Sequence, residues 1–311
     1  MKKLFIIGAS GLTGYKIAII GSKSFEIHGT FNTRPVDIKN CSLRKLDVTS
    51  PELEDFLNEI KPDVVVNASA LHNVDFCETN PKQSKLVNTE SIKNLNNFSK
   101  KLNFKLIHIS TDYVFDGLEK KPYTETDVPK PLNVYGKTKL EGEKVLDLSR
   151  HVVIRPSVVF GWTKLELAGS VSSSGKPMNF AMWLLSKLNK NESIKIVTDQ
   201  FATATLADSI AESILKIIDI NASGIYHVAG LSCESRYEFS IKLAKKFGYS
   251  ESLISPTTSS EFVQKAKRPS YSCLNCDKAT KNLGLKLLKT DQALDLMKNQ
   301  VEKEAPNLLN N

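Results

Sequence analysis

The sequence has no long hydrophobic run, although 41% of its 311 residues are hydrophobic. None of the apolar stretches approaches the roughly 18 residues that a membrane-spanning helix needs. Two lysines followed by Leu4–Ile7 resemble the start of a signal peptide, but Gly8, Ser10 and Gly11 interrupt the apolar region that should continue. We therefore expect a cytoplasmic protein that does not have a membrane as a partner.

Cysteine is also scarce, with five residues: Cys41, Cys77, Cys233, Cys273 and Cys276. The last two have the C-x-x-C spacing of zinc and redox sites. However, the chain contains no second C-x-x-C and no histidine pair that would complete four ligands. We predict that Cys273 and Cys276 are inert small side chains in a loop, and that the protein holds no metal.

A concentrated basic surface is missing too, despite a net charge of +8. The lysines occur as scattered pairs, such as Lys100 with Lys101 and Lys245 with Lys246, and are not massed with aromatic residues. This pattern argues against nucleic acid as a partner. A small polyanionic substrate such as a nucleotide diphosphate suits a mild positive excess at least as well.

The N-terminus carries the pattern of a dinucleotide-binding unit. An apolar strand at Lys3–Ile7 leads into Gly8, Gly11 and Gly14, and a helical pattern continues to about Ile20. A glycine turn between a strand and a helix N-terminus directs backbone N–H groups at a pyrophosphate. The G-x-x-G-x-x-G spacing is looser than G-x-G-x-x-G, but its position between strand and helix makes the signal strong.

The end of the second predicted strand, Glu26–Phe31, indicates which coenzyme is bound. An acidic residue there would hold a ribose 2′-hydroxyl, but the chain has Asn32 and Arg34 instead. A guanidinium and an amide can accept a 2′-phosphate. The sequence therefore favours NADP(H), with NAD(H) as the alternative.

Two further stretches contain the candidate catalytic groups. The buried strand Lys105–Ile109 ends in Ser110, Thr111 and Asp112, and Tyr135 stands four residues before Lys139 on one helix face. A neighbouring ammonium should lower the tyrosine pKa from about 10, so that the phenol can exchange a proton. With Thr111 holding a carbonyl oxygen and Tyr135 protonating it, the site could reduce a ketone wherever a hydride donor is bound.

Repeated strand–helix units predict an α/β fold, a Rossmann-like doubly wound parallel sheet with a smaller C-terminal substrate lobe. We place the dinucleotide-binding domain at residues 1–157. Residues 158–311 should form mainly the substrate lobe, with segments at about 194–228 returning to the first domain. Residues 163–176, rich in serine and glycine, read as a loop whose position would suit a lid.

Taken together, the motifs resemble the extended short-chain dehydrogenase/reductase family, and within it the dTDP-4-dehydrorhamnose reductases. The likeness covers nearly the whole chain. Its most specific parts are Asn67–Ala70, Ser110–Gly117, and the run from Pro131 through Tyr135 and Lys139 to Glu143. The family usually has Ala-Tyr-Thr where this chain has Ala70, Leu71 and His72, which leaves the particular sugar open.

The resemblance implies roles for individual residues. Thr111, Tyr135 and Lys139 would be the catalytic trio, with Tyr135 as proton donor. The coenzyme would be held by Tyr135, Lys139 and a set of turn and strand-end residues, namely Gly8, Ser10, Gly11, Leu12, Gly14, Asn32, Arg34, Asp47, Val48, Ala68, Ser69 and Ala70. The implied substrate contacts are His72, Asp112, Asn179 and Arg268. The reaction would be NADPH-dependent reduction of the 4-keto group of a nucleotide sugar, dTDP-4-dehydro-L-rhamnose above others.

Two other functions stay open at this point. The beta subunit of methionine adenosyltransferase resembles the same family, so the chain could be an NADP-binding regulatory subunit. A nucleotide-sugar epimerase or dehydratase is a further alternative. Oxidation of NADPH by the purified protein with a 4-keto nucleotide sugar would separate the reductase from the regulatory subunit. A homodimer is also left open.

Overall fold

The computed structural model describes residues 1–163, 179–262 and 264–305. Except for Thr163, the loop that the sequence suggests as a lid lies outside these ranges. Strands β1 to β6 are Lys3–Ile7, Glu26–Phe31, Cys41–Lys45, Val64–Asn67, Lys105–Ile109 and Val152–Arg155. Strands β7 to β13 are Val159–Phe160, Ile194–Val197, Phe201–Ala202, Thr205–Leu206, Gly224–His227, Glu234–Ser235 and Ile254–Thr257.

Helices connect most of these strands. Helices α1 to α6 are Leu12–Gly21, Glu52–Ile60, Val74–Thr79, Pro81–Lys85, Ser91–Leu102 and Val134–Lys144. Helices α7 to α11 are Phe180–Asn189, Ala207–Asp219, Arg236–Phe247, Asp277–Leu283 and Thr290–Glu304. A π-helical segment, Leu86–Glu90, joins α4 to α5, and short 3₁₀ turns occupy Asp112–Val114, Glu251–Leu253 and Ser259–Glu261. In the described ranges, we find no helix with the length and apolar character needed to cross a membrane.

The main sheet has seven parallel strands in the order β11-β6-β5-β4-β1-β2-β3. Ile7 at the end of β1 lies between Thr30 of β2 and Asn67 of β4. The chain therefore turns to opposite sides of the sheet after β1 and after β4, which opens a crevice at their carboxyl ends. This topology confirms the predicted Rossmann-like, doubly wound α/β fold.

Both faces of the sheet are covered by helices, which explains why β1 is apolar throughout. Leu4 and Ile6 point to one side, into a core that includes Ile214 of α8. Phe5 and Ile7 point to the other side, into a core shared with helices α2 and α5. All four of these β1 side chains are at most 1% exposed, so the first strand is fixed firmly beneath the glycine turn.

A separate apolar core lies in the C-terminal part of the chain. It is built largely from helices α7, α9 and α11, with Leu184, Leu243 and Met297 completely buried in it. Strand β8 pairs with β13 there, whereas β11 pairs with β6 and extends the main sheet. Helix α8 packs against α1.

Three local features of the sequence predict element bounds that differ from the structure. The sequence predicts one helix from about Pro81 to Lys101, whereas the structure has α4, the π-helical segment and α5 in succession. The sequence predicts Thr290 as the N-cap of the last helix, but Thr290 is its first residue. The third strand is predicted to end in Leu46–Thr49, whereas β3 ends at Lys45.

The expectation for Cys273 was also wrong. Cys273 forms a disulfide with Cys233, 40 residues earlier in the chain, and Cys276 is a buried free thiol. The C-x-x-C spacing suggests that Cys273 belongs with Cys276, but its disulfide partner, Cys233, lies in a different loop. Among the residues that the structure describes, no group of three or more His, Cys, Asp or Glu side chains is arranged to hold a metal ion.

Candidate active site

A cleft of about 460 Å³ lies at the carboxyl ends of β1, β2, β4 and β5. Most of the residues predicted to bind the coenzyme or the substrate line it. They are Gly8, Ser10, Gly11, Leu12, Asn32, Arg34, Asp47, Val48, Ala68, Ser69, Ala70, His72, Thr111, Asp112, Tyr135 and Lys139. The structure thus brings the glycine turn and the candidate catalytic residues to one cavity.

The glycine turn is shaped for close approach of a ligand. Gly8 has a φ of +85°, and a Cβ there would lie 3.1 Å from the backbone nitrogen of Ser69. A Cβ on Gly14 would lie 2.2 Å from the Gly8 carbonyl oxygen, so this glycine packs α1 against the turn. Gly11 caps α1 without a side-chain hydrogen bond. The turn and helix N-terminus therefore form a cradle suited to a pyrophosphate.

The far end of the cleft is polar. Asn32 donates a hydrogen bond to Asp47 Oδ2 at 2.6 Å, and Asp47 Oδ1 accepts from the backbone N–H and the hydroxyl of Thr49. These contacts fix the Asp47 carboxylate against its own turn. Arg34 and Thr33 line the same end, so a guanidinium faces the region where the sequence predicts a 2′-phosphate.

Thr111 is held at the start of a short 3₁₀ turn. Its Oγ1 accepts a hydrogen bond from the Tyr113 backbone N–H at 3.2 Å and donates to Asp112 Oδ1 at 3.0 Å. The other oxygen of Asp112 accepts hydrogen bonds from Ser157 and Ser272, at 2.8 and 2.6 Å. Burial raises the Asp112 pKa, while these three hydroxyls act to lower it. Asp112, predicted as a substrate contact, thus also orients Thr111.

Tyr135 stands in the first turn of α6. Asn133 caps this helix by accepting from the Gly136 N–H at 2.8 Å. A Cβ on Gly136 would lie 2.2 Å from the Tyr113 carbonyl oxygen, so only glycine lets the helix approach the 3₁₀ turn this closely. The rings of Tyr113 and Tyr135 meet edge to face with centroids 6.0 Å apart, and the Tyr135 hydroxyl pairs with Thr111.

The expected lowering of the Tyr135 pKa was wrong for this geometry. Burial raises the Tyr135 pKa well above its usual value, and the hydrogen bond between Tyr135 and Thr111 offsets this only in part. Lys139 does not reach the phenol in the structure. Its Nζ donates to the carbonyl oxygen of Ile109 at 2.6 Å, and burial lowers its own pKa to about 7. Tyr135 is therefore a protonated phenol at neutral pH, the form that an acid requires.

Two predicted substrate residues and one predicted coenzyme residue do not line the cleft. Gly14 lies beneath the glycine turn. Asn179 caps α7, accepting from the Met182 N–H, and donates to the Gly161 carbonyl oxygen. The Arg268 guanidinium makes a two-point contact with Asp75, at 2.8 and 2.7 Å. In the structure Asn179 therefore makes hydrogen bonds to the backbone, and Arg268 forms an ion pair with Asp75.

Sequence reasoning missed two groups near the cleft. Asn88, in the π-helical segment, bonds both the N–H and the carbonyl oxygen of Leu71 and so fixes the loop that carries His72. His108 and Asn67, both 0% exposed, lie beneath Lys139. Period-two alternation does not mark His108, because it sits inside a strand that is buried on both faces. Its polarity within an apolar run was the available signal.

Comparisons with known proteins agree with this geometry. Residues 1–303 match the family described as the RmlD substrate binding domain. A probable low-salt glycan biosynthesis reductase, Agl14, of Haloferax volcanii is 31% identical over 284 residues, covering 90% of this chain and 92% of the relative. The dTDP-4-dehydrorhamnose reductase of Aggregatibacter actinomycetemcomitans is 30% identical over 299 residues, covering 92% and 94%.

A solved structure shows the same fold. It is the dTDP-4-dehydrorhamnose reductase of Bacillus anthracis in complex with NADP, which superposes with a TM-score of 0.80 at 24% sequence identity. The similarity covers 96% of this chain and 100% of that one. Because the family match spans nearly the whole sequence and the fold agrees, the chain belongs to the RmlD substrate binding domain family.

Proposed function

We propose that the protein is an NADPH-dependent reductase of the 4-keto group of a nucleotide sugar. The favoured substrate is dTDP-4-dehydro-L-rhamnose, which would become dTDP-L-rhamnose. The observation that carries the proposal is the meeting of Thr111, Tyr135 and Lys139 with the glycine turn in one cleft. Relatives that are about 30% identical over more than nine-tenths of the chain are named as reductases, which supports the same chemistry.

The cleft fits a nicotinamide coenzyme. The glycine cradle has room for a pyrophosphate and none for side chains, and Arg34 lines the end where a 2′-phosphate would lie. Ser110 lines the cleft near its catalytic end, and its hydroxyl oxygen is buried without a hydrogen-bond partner among the described residues. When bound, the coenzyme would supply the hydride. NADP is also the ligand named for the Bacillus anthracis structure.

The protein's own residues would orient and protonate the ketone. Thr111 lies beside the Tyr135 hydroxyl, and its own proton is donated to Asp112. With substrate bound, the Thr111 hydroxyl would turn this proton to the carbonyl oxygen, which would then be held between Thr111 and Tyr135. Tyr135 is protonated at neutral pH and can deliver a proton to that oxygen as the alkoxide develops. Lys139, in its charged form, would stabilise the phenolate that remains. Thr111 and Lys139 are buried, 6% and 1% exposed, whereas Tyr135 is partly exposed where it lines the cleft.

A coupled assay tests this proposal directly. The purified protein is mixed with NADPH and dTDP-4-dehydro-L-rhamnose, NADPH absorbance is followed, and the sugar product is identified by NMR. We expect NADPH loss and dTDP-L-rhamnose in equal amounts. If NADPH binds but no 4-keto nucleotide sugar is reduced, the regulatory-subunit interpretation replaces this one. A product with altered stereochemistry and no net NADPH loss would instead indicate an epimerase.

Three further points belong to the proposal. Residues 158–311 would supply most of the sugar-binding surface, and the protein would act in the cytoplasm. A homodimer is testable by light scattering coupled to size-exclusion chromatography, where a mass near twice 34.5 kDa would support it and a single-chain mass would reject it.

A further inference from the structure

Lys139 has a buried neighbour that none of the motifs includes. Its Nζ lies 3.2 Å from Nε2 of His108, on β5, and 2.6 Å from the carbonyl oxygen of Ile109. Both side chains are almost fully buried, with His108 0% and Lys139 1% exposed. No bulk water therefore separates the imidazole from the amine. The protonation state of each nitrogen consequently affects the protonation state of the other.

Asn67 fixes the orientation of this histidine. The Asn67 Oδ1 accepts hydrogen bonds from the backbone N–H of Ser69 at 3.1 Å and from its hydroxyl at 2.8 Å. A backbone N–H can only donate, so the oxygen of the amide must face Ser69. The Asn67 Nδ2 then faces His108 Nδ1, at 3.3 Å, as a donor.

The donor from Asn67 determines the tautomer of His108. Its Nδ1 must accept, so the ring proton of the neutral imidazole sits on Nε2 and points at Lys139. Burial and the Lys139 charge keep the His108 pKa well below 6.5, so the imidazole is neutral. An Nε2–H group can donate a hydrogen bond to an uncharged amine. An ammonium has only donors, so when Lys139 is charged two donors face each other, and this disfavours the charged form.

We propose that His108, held in its Nε2–H form by Asn67, is a positioning residue that disfavours the charged form of Lys139 and so sets the pH range of catalysis. The proposal rests on the reductase function proposed above. Charging Lys139 without conflict would require the proton of His108 to move to Nδ1 and Asn67 to turn over. That rotation would place the Asn67 amide nitrogen against the Ser69 N–H, and Ser69 packs against Gly8 of the coenzyme cradle.

The other groups around Lys139 do not supply this effect. Glu143, on the same helix, favours the charged form of Lys139, but its carboxylate is paired with Arg155 of β6 at 2.6 Å. Asp112, Tyr113 and Cys77 act on the pKa of Tyr135, the neighbouring titratable group on α6, whereas burial and Glu143 are the influences on Lys139 besides His108. Among these neighbours, His108 is the one whose ring nitrogen lies within hydrogen-bond distance of Nζ in the described structure.

The tautomer can be measured on the wild-type protein. Long-range ¹H–¹⁵N NMR of ¹⁵N-histidine-labelled protein at pH 8, without added coenzyme, distinguishes a protonated Nε2 from a protonated Nδ1. His108→Gln identifies the His108 signals. We expect the Nε2–H form. An Nδ1–H form, or an imidazolium, overturns the proposal whether or not the protein is a reductase.

A kinetic experiment tests the consequence for catalysis. In His108→Gln, the amide oxygen can accept from a charged Lys139, so we expect the alkaline limb of the kcat profile to move up by about one pH unit. The matched control is His151→Gln. His151 is a buried histidine just before β6, 1% exposed, whose ring nitrogens contact Ser99 and the Leu106 N–H. This control should keep the wild-type profile.

The outcomes separate the possible failures. If His108→Gln lowers activity but leaves the alkaline limb in place, His108 serves packing alone and the proposal is wrong. If wild type reduces no 4-keto sugar at all, the proposed function fails, and the NMR result still decides the tautomer. In that case the pH dependence of NADPH affinity, measured by fluorescence titration of both variants, takes the place of the kcat profile.

Discussion

At the scale of single residues, the shape of the cleft depends on polar side chains that are held by several hydrogen bonds each. The Asp112 carboxylate accepts from Thr111, Ser157 and Ser272, so segments from three parts of the chain meet at one side chain. Hydrogen bonds to a buried charge are stronger than neutral ones. The position of Thr111 Oγ1 at the cleft is therefore fixed by Asp112 and the Tyr113 N–H. Arg34, which we propose selects the coenzyme, is in contrast partly exposed.

Removing Arg34 should weaken discrimination between the two coenzymes. Wild type should bind NADPH about tenfold more tightly than NADH, a difference of about 1.4 kcal/mol. Arg34→Ala should bring the two affinities close together by weakening NADPH alone, because only NADPH has the 2′-phosphate. Fluorescence titration with both coenzymes measures this. Arg44→Ala, on β3 and outside the cleft lining, is the control, and an unchanged ratio in Arg34→Ala would reject the assignment.

At the scale of elements, the π-helical segment between α4 and α5 has a clear function. It places Asn88, 1% exposed, so that its amide bonds both backbone groups of Leu71, and the adjoining loop lines the cleft. Helix α6 also packs tightly here, since a Cβ on Gly142 would lie 2.5 Å from the Asn88 carbonyl oxygen. The π-helical segment thus connects helix α6 to the loop that carries Leu71 and His72.

Asn88→Ala should therefore affect both stability and substrate binding. Leaving the backbone groups of Leu71 unpaired should cost about 1–3 kcal/mol of unfolding free energy. The loosened loop should raise KM for the sugar more than it lowers kcat. Denaturant unfolding and steady-state kinetics measure the two effects. Asn94→Ala, exposed on α5, should change neither, and a wild-type KM in Asn88→Ala would show that the loop is held by other contacts.

The sequence predicted the regular elements well because their signals are local. The glycine turn and strand β5 follow from apolar period and turn residues, and β1, β2 and β5 have the predicted bounds. Most of the residues predicted for the site follow these elements and line the cleft. Asn88, His108 and the Cys233–Cys273 disulfide were missed, because each acts through a partner far away in sequence. The pKa of Tyr135 was missed because burial cannot be read from residue spacing.

At the scale of the whole molecule, two features outside the cleft affect stability. Two histidines are buried, His151 just before β6 and His227 on β11, and burial lowers their pKa to about 4 and about 3. The Cys233–Cys273 disulfide joins the loop before β12 to the segment that carries Ser272. That segment also supplies a hydrogen bond to Asp112, so the disulfide supports the site from outside.

Acid should destabilise the fold over a defined range. Above pH 6.5 His151 is neutral in both the folded and the unfolded chain. Below it the unfolded chain binds a proton that the folded protein does not accept until about pH 4. Unfolding free energy should therefore fall by up to about 2 kcal/mol for this histidine between pH 7.5 and pH 5. Urea unfolding of wild type and His151→Gln measures it, and an equal pH dependence in both would exclude His151 as a source.

The disulfide predicts a thiol count and a stability difference. Denatured, unreduced protein should show three reactive thiols in a DTNB assay, from Cys41, Cys77 and Cys276, and five after reduction. Cys233→Ser should lower the unfolding free energy by about 2–4 kcal/mol, since the closed loop spans 40 residues. Cys41→Ser serves as the control. Five thiols before reduction would show that the bond does not form under those conditions.

The most direct test of the account is the rate at which Tyr135→Phe reduces dTDP-4-dehydro-L-rhamnose. The change removes the proton donor but keeps the ring that packs against Tyr113. We expect kcat to fall by about two to four orders of magnitude, with NADPH affinity close to wild type. Tyr226→Phe, a buried ring on β11 away from the cleft, should keep wild-type kinetics. Reduction of the sugar by Tyr135→Phe at the wild-type rate would contradict the assignment of Tyr135 as the catalytic acid.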